Sequence, residues 1–180
     1  IENTLLMPKA TYLAPAKINL FLHITSKRAD GYHNLQTIFQ LLDFGDEITF
    51  SLRNDGEINR IYGNKAISPD KDLILRSADS LKKYSKTLSE VDIGVIKKIP
   101  TGSGLGGGSS NAATVLMALN NLWNLKLTKS KLLDIGQTLG ADVPLFVNGF
   151  SAWAEGKGDI LTPINLPRFF YLVVSINKYI

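Results

Sequence analysis

The chain has 180 residues, 44% of them hydrophobic, enough to bury roughly 70% of its unfolded surface, which excludes a disordered polyelectrolyte. Twenty Lys and Arg against 16 Asp and Glu leave a net charge of +4, which suits a polyanionic ligand, nucleotide or nucleic acid. With no cysteine there is no disulfide framework and no thiolate metal site, a composition compatible with a reducing cytoplasm.

No apolar run reaches the ~18 residues of a membrane span, and residues 7 to 22 lack a signal-peptide layout. Met7 reads as the natural start, with Ile1 to Leu6 ahead of it as vector-derived residues. From Lys17 the pattern alternates, Ile18, Leu20, Leu22 and Ile24 against Lys17, Asn19, Phe21 and His23, which predicts a strand buried on its apolar side. Arg28-Ala29-Asp30-Gly31-Tyr32-His33 reads as a turn by its Asp-Gly pair. Thr37 to Leu42 is apolar, and Phe39 within it either walls a pocket or packs in the core. Asp46 to Leu52 reads as a strand, with Asp55-Gly56 as a hairpin turn into Ile58 and Ile61.

Residues 64–71 form a loop. Asp72 to Lys86 reads as a helix with Leu73, Ile74, Ser77, Ala78, Leu81 and Tyr84 inward, and it carries no evident chemistry. Val91, Ile93 and Val95 alternate as a strand. Beyond the glycine-rich stretch 100–111, a helix is predicted over Asn111 to Leu125, apolar along Ala112, Val115, Leu116, Leu119, Leu122 and Trp123. Thr128 or Ser130 can cap a further helix to Leu139, which Gly140 ends as its C′ residue. Asp142 sits where a short helix could start, with Pro144 in its first turn. Phe150 to Glu155 and Asp159 to Pro163 read as strands around Gly156-Lys157-Gly158, and Phe169 to Ser175 as one more apolar strand. No internal repeat or low-complexity segment interrupts the chain.

The centre of the pattern is Pro100-Thr101-Gly102-Ser103-Gly104-Leu105-Gly106-Gly107-Gly108-Ser109-Ser110-Asn111. A strand, a glycine-rich turn and a helix N-terminus present unpaired N–H groups to an anion, and phosphate is the natural one. A mere connector needs far fewer glycines. Gly102, Gly104 and Gly107 formally satisfy G-x-G-x-x-G, but the second strand ending in an acid, which a dinucleotide site requires, has no counterpart. A Walker A loop is excluded because no lysine precedes a hydroxyl residue over Gly107 to Ser109. A protein-kinase glycine loop lies between two strands, whereas this one opens a helix.

Pro100 to Gly106 resembles the phosphate loop of the GHMP kinases, written roughly Pro-x-x-x-Gly-Leu-[Gly/Ser]-Ser-Ser. Gly107 and Gly108 stand where most members have serines. Ala14-Pro15-Ala16-Lys17-Ile18-Asn19-Leu20 is similar to the first motif of that family, and Gly140-Ala141-Asp142-Val143-Pro144 to a later one. The triple glycine before Ser109-Ser110-Asn111, together with Arg28 to His33, resembles the branch that acts on cytidine diphosphate-linked methylerythritol in non-mevalonate isoprenoid synthesis.

The resemblance implies an α+β fold: a GHMP-kinase N-terminal ATP-binding domain of ribosomal-protein type over residues 1–163. Residues 164–180 would open a ferredoxin-like C-terminal domain, most of which is absent from this chain. It implies ATP bound along Pro100, Thr101, Gly102, Ser103, Gly104, Leu105, Gly106, Gly107, Gly108, Ser109 and Ser110, with Lys97 either contacting the nucleotide or simply solvated. It implies catalysis by Lys17 and by Asp142 as base, although spacing alone makes Asp142 a helix cap, and both roles can hold at once. Asn19, Tyr32, His33 and Phe39 would bind substrate, the Tyr32 ring stacking on cytosine and His33 bonding the base. Mg²⁺ is implied with ATP, without an assigned ligand; Ser109 is the nearest hydroxyl to the positions that Gly107 and Gly108 leave bare. The expected partner is that small molecule rather than nucleic acid or membrane, in the cytoplasm and in an unassigned oligomeric state. The alternatives are a homoserine- or mevalonate-type GHMP kinase, or a basic nucleic-acid-binding domain of the same fold.

Overall fold

The structure is a computed structural model that describes residues 9–53, 55, 57–63 and 67–174. The reading of Met7 as the start, Gly56 of the Asp55-Gly56 turn and Ser175 therefore lie outside the described residues. The elements in order are β1 (Lys9–Lys27), β2 (His33–Arg53), β3 (Ile58–Tyr62), α1 (Leu73–Ser85), β4 (Glu90–Ile96), α2 (Gly107–Leu122), α3 (Lys129–Leu139), α4 (Val143–Asn148), β5 (Ala152–Glu155) and β6 (Ile160–Pro163). The α+β class expected from the sequence holds.

β2 is the spine of the sheet. Along one edge it pairs antiparallel with β1, from Lys9↔Ser51 to Lys27↔His33. Its other edge is shared: Thr37 to Phe39 pair with β5, and Glu47 to Arg53 pair with β4. The order is β3-β4-β2-β5-β6, with β1 beside β2. At Gly45 β2 leaves no room for a side chain, since a Cβ there would sit 2.1 Å from the carbonyl oxygen of Ala14 on β1.

The helices cover the sheet face that carries Ile48, Phe50, Val91, Ile93 and Val95, and this layer is the core. α2 lies at its centre. Ser110 through Leu116 are all buried, so small residues such as Ala112 and Ala113 turn inward beside Val115 and Leu116. α2 therefore begins before its apolar pattern does, at Gly107, and ends at Leu122 rather than Leu125. α1 is capped by Asp72, whose carboxylate accepts from Ile74 N–H at 2.9 Å. Its inward face is Ile74, Ser77, Ala78 and Leu81, whereas Tyr84 is exposed. Thr128 caps α3, and Gly140 ends it with extended backbone (φ 176°) rather than the left-handed C′ conformation.

Three expectations are overturned. The Asp55-Gly56 hairpin does not form, because β4 lies between β2 and β3. β3 runs parallel to β4, and parallel neighbours need a crossover, which α1 provides. The alternation of β1 does not bury Leu20, Leu22 and Ile24, which are 40%, 50% and 63% exposed. Between Asn19↔Phe39 and Leu22↔Thr37 the pairing gains a residue on β1, and such a bulge breaks the strict period of two. Phe21, from the set expected outside, packs against Trp153 at 5.6 Å. The strand over Phe169 to Ser175 is not observed at Phe169 to Val174, where no described strand pairs with these residues and Phe169, Phe170 and Leu172 are exposed.

Candidate active site

The glycine loop runs from the end of β4 into α2. Gly102, Gly104 and Gly106 have φ of +70°, +74° and +75°, a conformation that side-chain-bearing residues adopt at a cost. At Gly106 space is also lacking, since a Cβ would come within 2.7 Å of the Phe146 ring and 3.1 Å of Lys17 Cγ. Gly106 is the N-cap of α2 and supplies no side-chain cap; its carbonyl accepts the first helical bond, from Ser110 N–H at 2.9 Å. The amides before Ser110 therefore have no acceptor within the helix. Ser103 Oγ braces the loop by donating to Pro100 O at 2.7 Å, and Lys17 N–H ties it to β1 by donating to Leu105 O at 3.0 Å.

Residues 100–109 and Asn111 form one wall of a cleft of about 340 Å³. Arg60, Lys71, Asp72, Leu73 and Lys97 also line it. Arg60 is ion-paired with Asp72, so the carboxylate that caps α1 also fixes a cation at the cleft. Arg60 and Asp72 thus bring a charged pair to the cleft at the start of α1. The Asp72 cap was visible as a helix-start signal; Arg60 had no sequence signal, because pairing it with Asp72 depends on the crossover. Lys97 is ion-paired with Asp46 on β2.

Lys17 and Asp142 come from opposite ends of the chain and meet behind Gly106. Lys17 is 7% exposed. Its Nζ donates to Asn19 Oδ1 at 2.7 Å, lies 3.9 Å from Asp142 Oδ2 and stands 5.2 Å over the Phe39 ring. Asn19 Nδ2 in turn donates to Thr37 Oγ1 at 2.8 Å, which aims the Asn19 carbonyl at the ammonium. Burial pushes the Lys17 pKa below the ordinary lysine value, and the nearby Asp142 charge opposes that shift. Asp142 occupies the N-cap position of α4, yet its side chain makes no capping bond. Helix capping therefore does not account for the carboxylate, which faces Lys17 and is 37% exposed.

Tyr32 and His33 lie apart from the cleft, Tyr32 on the turn after β1 and His33 as the first residue of β2, both exposed. The turn is braced by Asp30, which accepts from Tyr32 N–H at 3.1 Å and from Arg28 Nε. Lys157 Nζ, on the β5–β6 turn, stands 5.1 Å over the Tyr32 ring, a neighbour that sequence spacing could not supply. Phe39 is 4% exposed and packs with Leu145, Ala152 and Ala154, so the core reading holds while its ring also floors Lys17. Among the described residues, no group of three or more His, Cys, Asp or Glu could hold a metal ion, and no helix is long and apolar enough to cross a membrane.

Residues 72–150 match the family described as GHMP kinases N terminal domain. Over those residues the chain resembles a GHMP kinase N-terminal domain. It is 57% identical over 170 residues to a 4-diphosphocytidyl-2-C-methyl-D-erythritol kinase of Ruthia magnifica subsp. Calyptogena magnifica, covering 94% of this chain and 60% of that protein. It is 52% identical over 168 residues to the kinase of that name from Burkholderia thailandensis, covering 93% and 57%. The chain thus spans about 60% of the length of the curated relatives that it matches. A crystal structure of 4-(cytidine 5'-diphospho)-2C-methyl-D-erythritol kinase superposes with a TM-score of 0.78 at 38% identity, covering 88% of this chain and 56% of that one. A mevalonate kinase structure shares the GHMP fold at a TM-score of 0.64 and 17% identity, covering 87% and 56%.

Proposed function

We propose that this chain takes part in transfer of the ATP γ-phosphoryl group to the 2-hydroxyl of 4-diphosphocytidyl-2-C-methyl-D-erythritol. The observation that carries the reading is the Lys17–Asp142 couple packed behind Gly106, at the end of a glycine loop whose helix-opening amides have no acceptor within α2. Phosphoryl transfer requires mainly positioning and charge stabilisation, and this arrangement offers both.

The amides over Gly102 to Ser109 hold the nucleotide phosphates, aided by the positive end of α2. Lys97 and Arg60 border the same cleft and add positive charge. Asp142 takes the proton from the acceptor hydroxyl as its oxygen bonds to the γ-phosphorus and the bond to ADP breaks. Lys17, held by Asn19, offsets charge developing on the transferred group. Tyr32 and His33 take the cytosine, with Lys157 beside the ring. Phe39 serves this site from below, as packing.

Mg²⁺ fits here as an ion carried largely by the phosphates and water, because it needs only one or two protein oxygens. The Ser109 hydroxyl, which lies near Gly140, would be the protein oxygen to hold it. When bound, the ion would neutralise phosphate charge. The cytoplasm, where ATP and reduced thiols coexist, is the proposed compartment for this cysteine-free chain.

The test is incubation of the chain with ATP, Mg²⁺ and the cytidylyl-methylerythritol substrate, with mass detection of product. A mass gain of one phosphoryl group on that substrate, but not on homoserine or mevalonate, is expected. Phosphorylation of homoserine or mevalonate instead would overturn the substrate assignment.

A further inference from the structure

Asp46 is 0% exposed, and neither the amide cradle nor the Lys17–Asp142 couple uses it. A carboxylate removed from water is costly unless its oxygens are fully partnered. Here the two oxygens divide the work. Oδ1 accepts from the backbone N–H groups of Lys98 at 2.7 Å and Ile99 at 2.9 Å, while Oδ2 accepts from Lys97 Nζ. These donors are consecutive residues directly ahead of Pro100. One buried group thus fixes both the entry to the glycine loop and the direction of the Lys97 side chain.

The ammonium is held against the first turn of α2, since a Cβ built on Gly107 would lie 3.3 Å from Lys97 Nζ. That end of a helix carries partial positive charge, so a cation is disfavoured there without an anion beside it. Asp46 is that anion before a ligand arrives, and a phosphate in the cradle becomes the second. A lysine stem loses rotamer freedom when it is fixed, and fixing it in advance removes that cost from the binding step.

We infer that Asp46 is a positioning residue for nucleotide binding: it aims the Lys97 ammonium at the phosphates that the loop amides hold. The inference rests on the nucleotide reading above. Asp46→Asn is a near-isosteric probe that keeps Oδ1 for Lys98 and Ile99 but turns an NH₂ donor toward Lys97. Lys97→Met removes the other partner.

The experiment is calorimetric titration of ATP into the wild type, Asp46→Asn, Lys97→Met and the double variant at one ionic strength, with melting temperatures alongside. Each single variant should weaken ATP about tenfold, the scale of one positioned charge-assisted bond, and the double variant should be no weaker than either by more than about twofold. Unchanged or tighter ATP binding in Asp46→Asn, or additive losses in the double variant, overturns the inference while leaving the nucleotide reading intact. A wild type that binds no ATP overturns that reading as well. Should Asp46→Asn fail to fold, the wild type decides alone. In the absence of nucleotide its Lys97 ammonium should give a distinct, protected ¹H–¹⁵N resonance that shifts on adding ATP, and a solvent-averaged resonance overturns the inference.

Discussion

The amide cradle and the Lys17–Asp142 couple touch each other across Gly106 and are built in opposite ways. The cradle is main chain from one contiguous stretch, and its chemistry comes from what its residues lack: a Cβ at Gly106, and acceptors for the first amides of α2. The couple is two side chains from β1 and from the start of α4. Its chemistry comes from what surrounds them, above all the burial of Lys17 and the Asn19–Thr37 relay beneath it. A main-chain site should be robust to changes of side-chain chemistry and intolerant of added bulk, and a side-chain couple should show the reverse.

That contrast can be broken most directly at Asp142. In Asp142→Asn, turnover should fall ~10²–10⁴-fold while ATP affinity stays within about twofold, measured by product mass and by titration. A normal rate would remove Asp142 from the chemistry. Lys17→Met should also lose most turnover, yet keep the fold, and its pH behaviour is diagnostic. The Lys17 pKa is lowered by burial from the ordinary 10.5, so between the lowered value and 10.5 the unfolded chain binds more protons than the folded one. Wild-type stability should rise with pH across that window, and the rise should be missing from Lys17→Met; identical pH profiles of melting temperature would contradict the buried-ammonium account.

On the cradle side, Gly106→Ala should cost ~1–2 kcal/mol for the left-handed backbone alone, with more from the contact with Phe146, and should weaken ATP along with stability. Full ATP affinity in a folded Gly106→Ala protein would count against the amide cradle. Thr128→Ala, which removes the α3 cap far from either feature, should cost ~1 kcal/mol and leave ATP binding untouched. Smallest of all, Leu22→Ser should change stability by less than ~0.5 kcal/mol, because Leu22 is half exposed despite its place in an alternating run. A large loss there would mean that the β1 apolar row is buried after all.

The same contrast explains what could be read from the chain. The cradle was legible because glycine density, the strand before it and the helix after it are all local. Lys17 and Asp142 as a pair were not legible from spacing. Physical pattern alone left a strand lysine and a capping aspartate, and only the likeness of their motifs to a known family linked them. The errors lie where non-local pairing overrides a local period. A bulge between Asn19 and Leu22 changed the phase of β1, and insertion of β4 beside β2 displaced the hairpin suggested by Asp55-Gly56. Arg60, Asp46 and Lys157 escaped notice for the same reason: each acquires its role from a partner on another element.

The most direct test of the central claim is a backbone ¹H–¹⁵N titration of the chain with ATP. The amides of Gly102 to Ser109 should show the largest shifts, with smaller ones at Lys17 and Asp142 and none at Leu22 to Ile24. Saturable ATP binding that leaves the loop amides unmoved, with the shifts gathered elsewhere, would contradict the account.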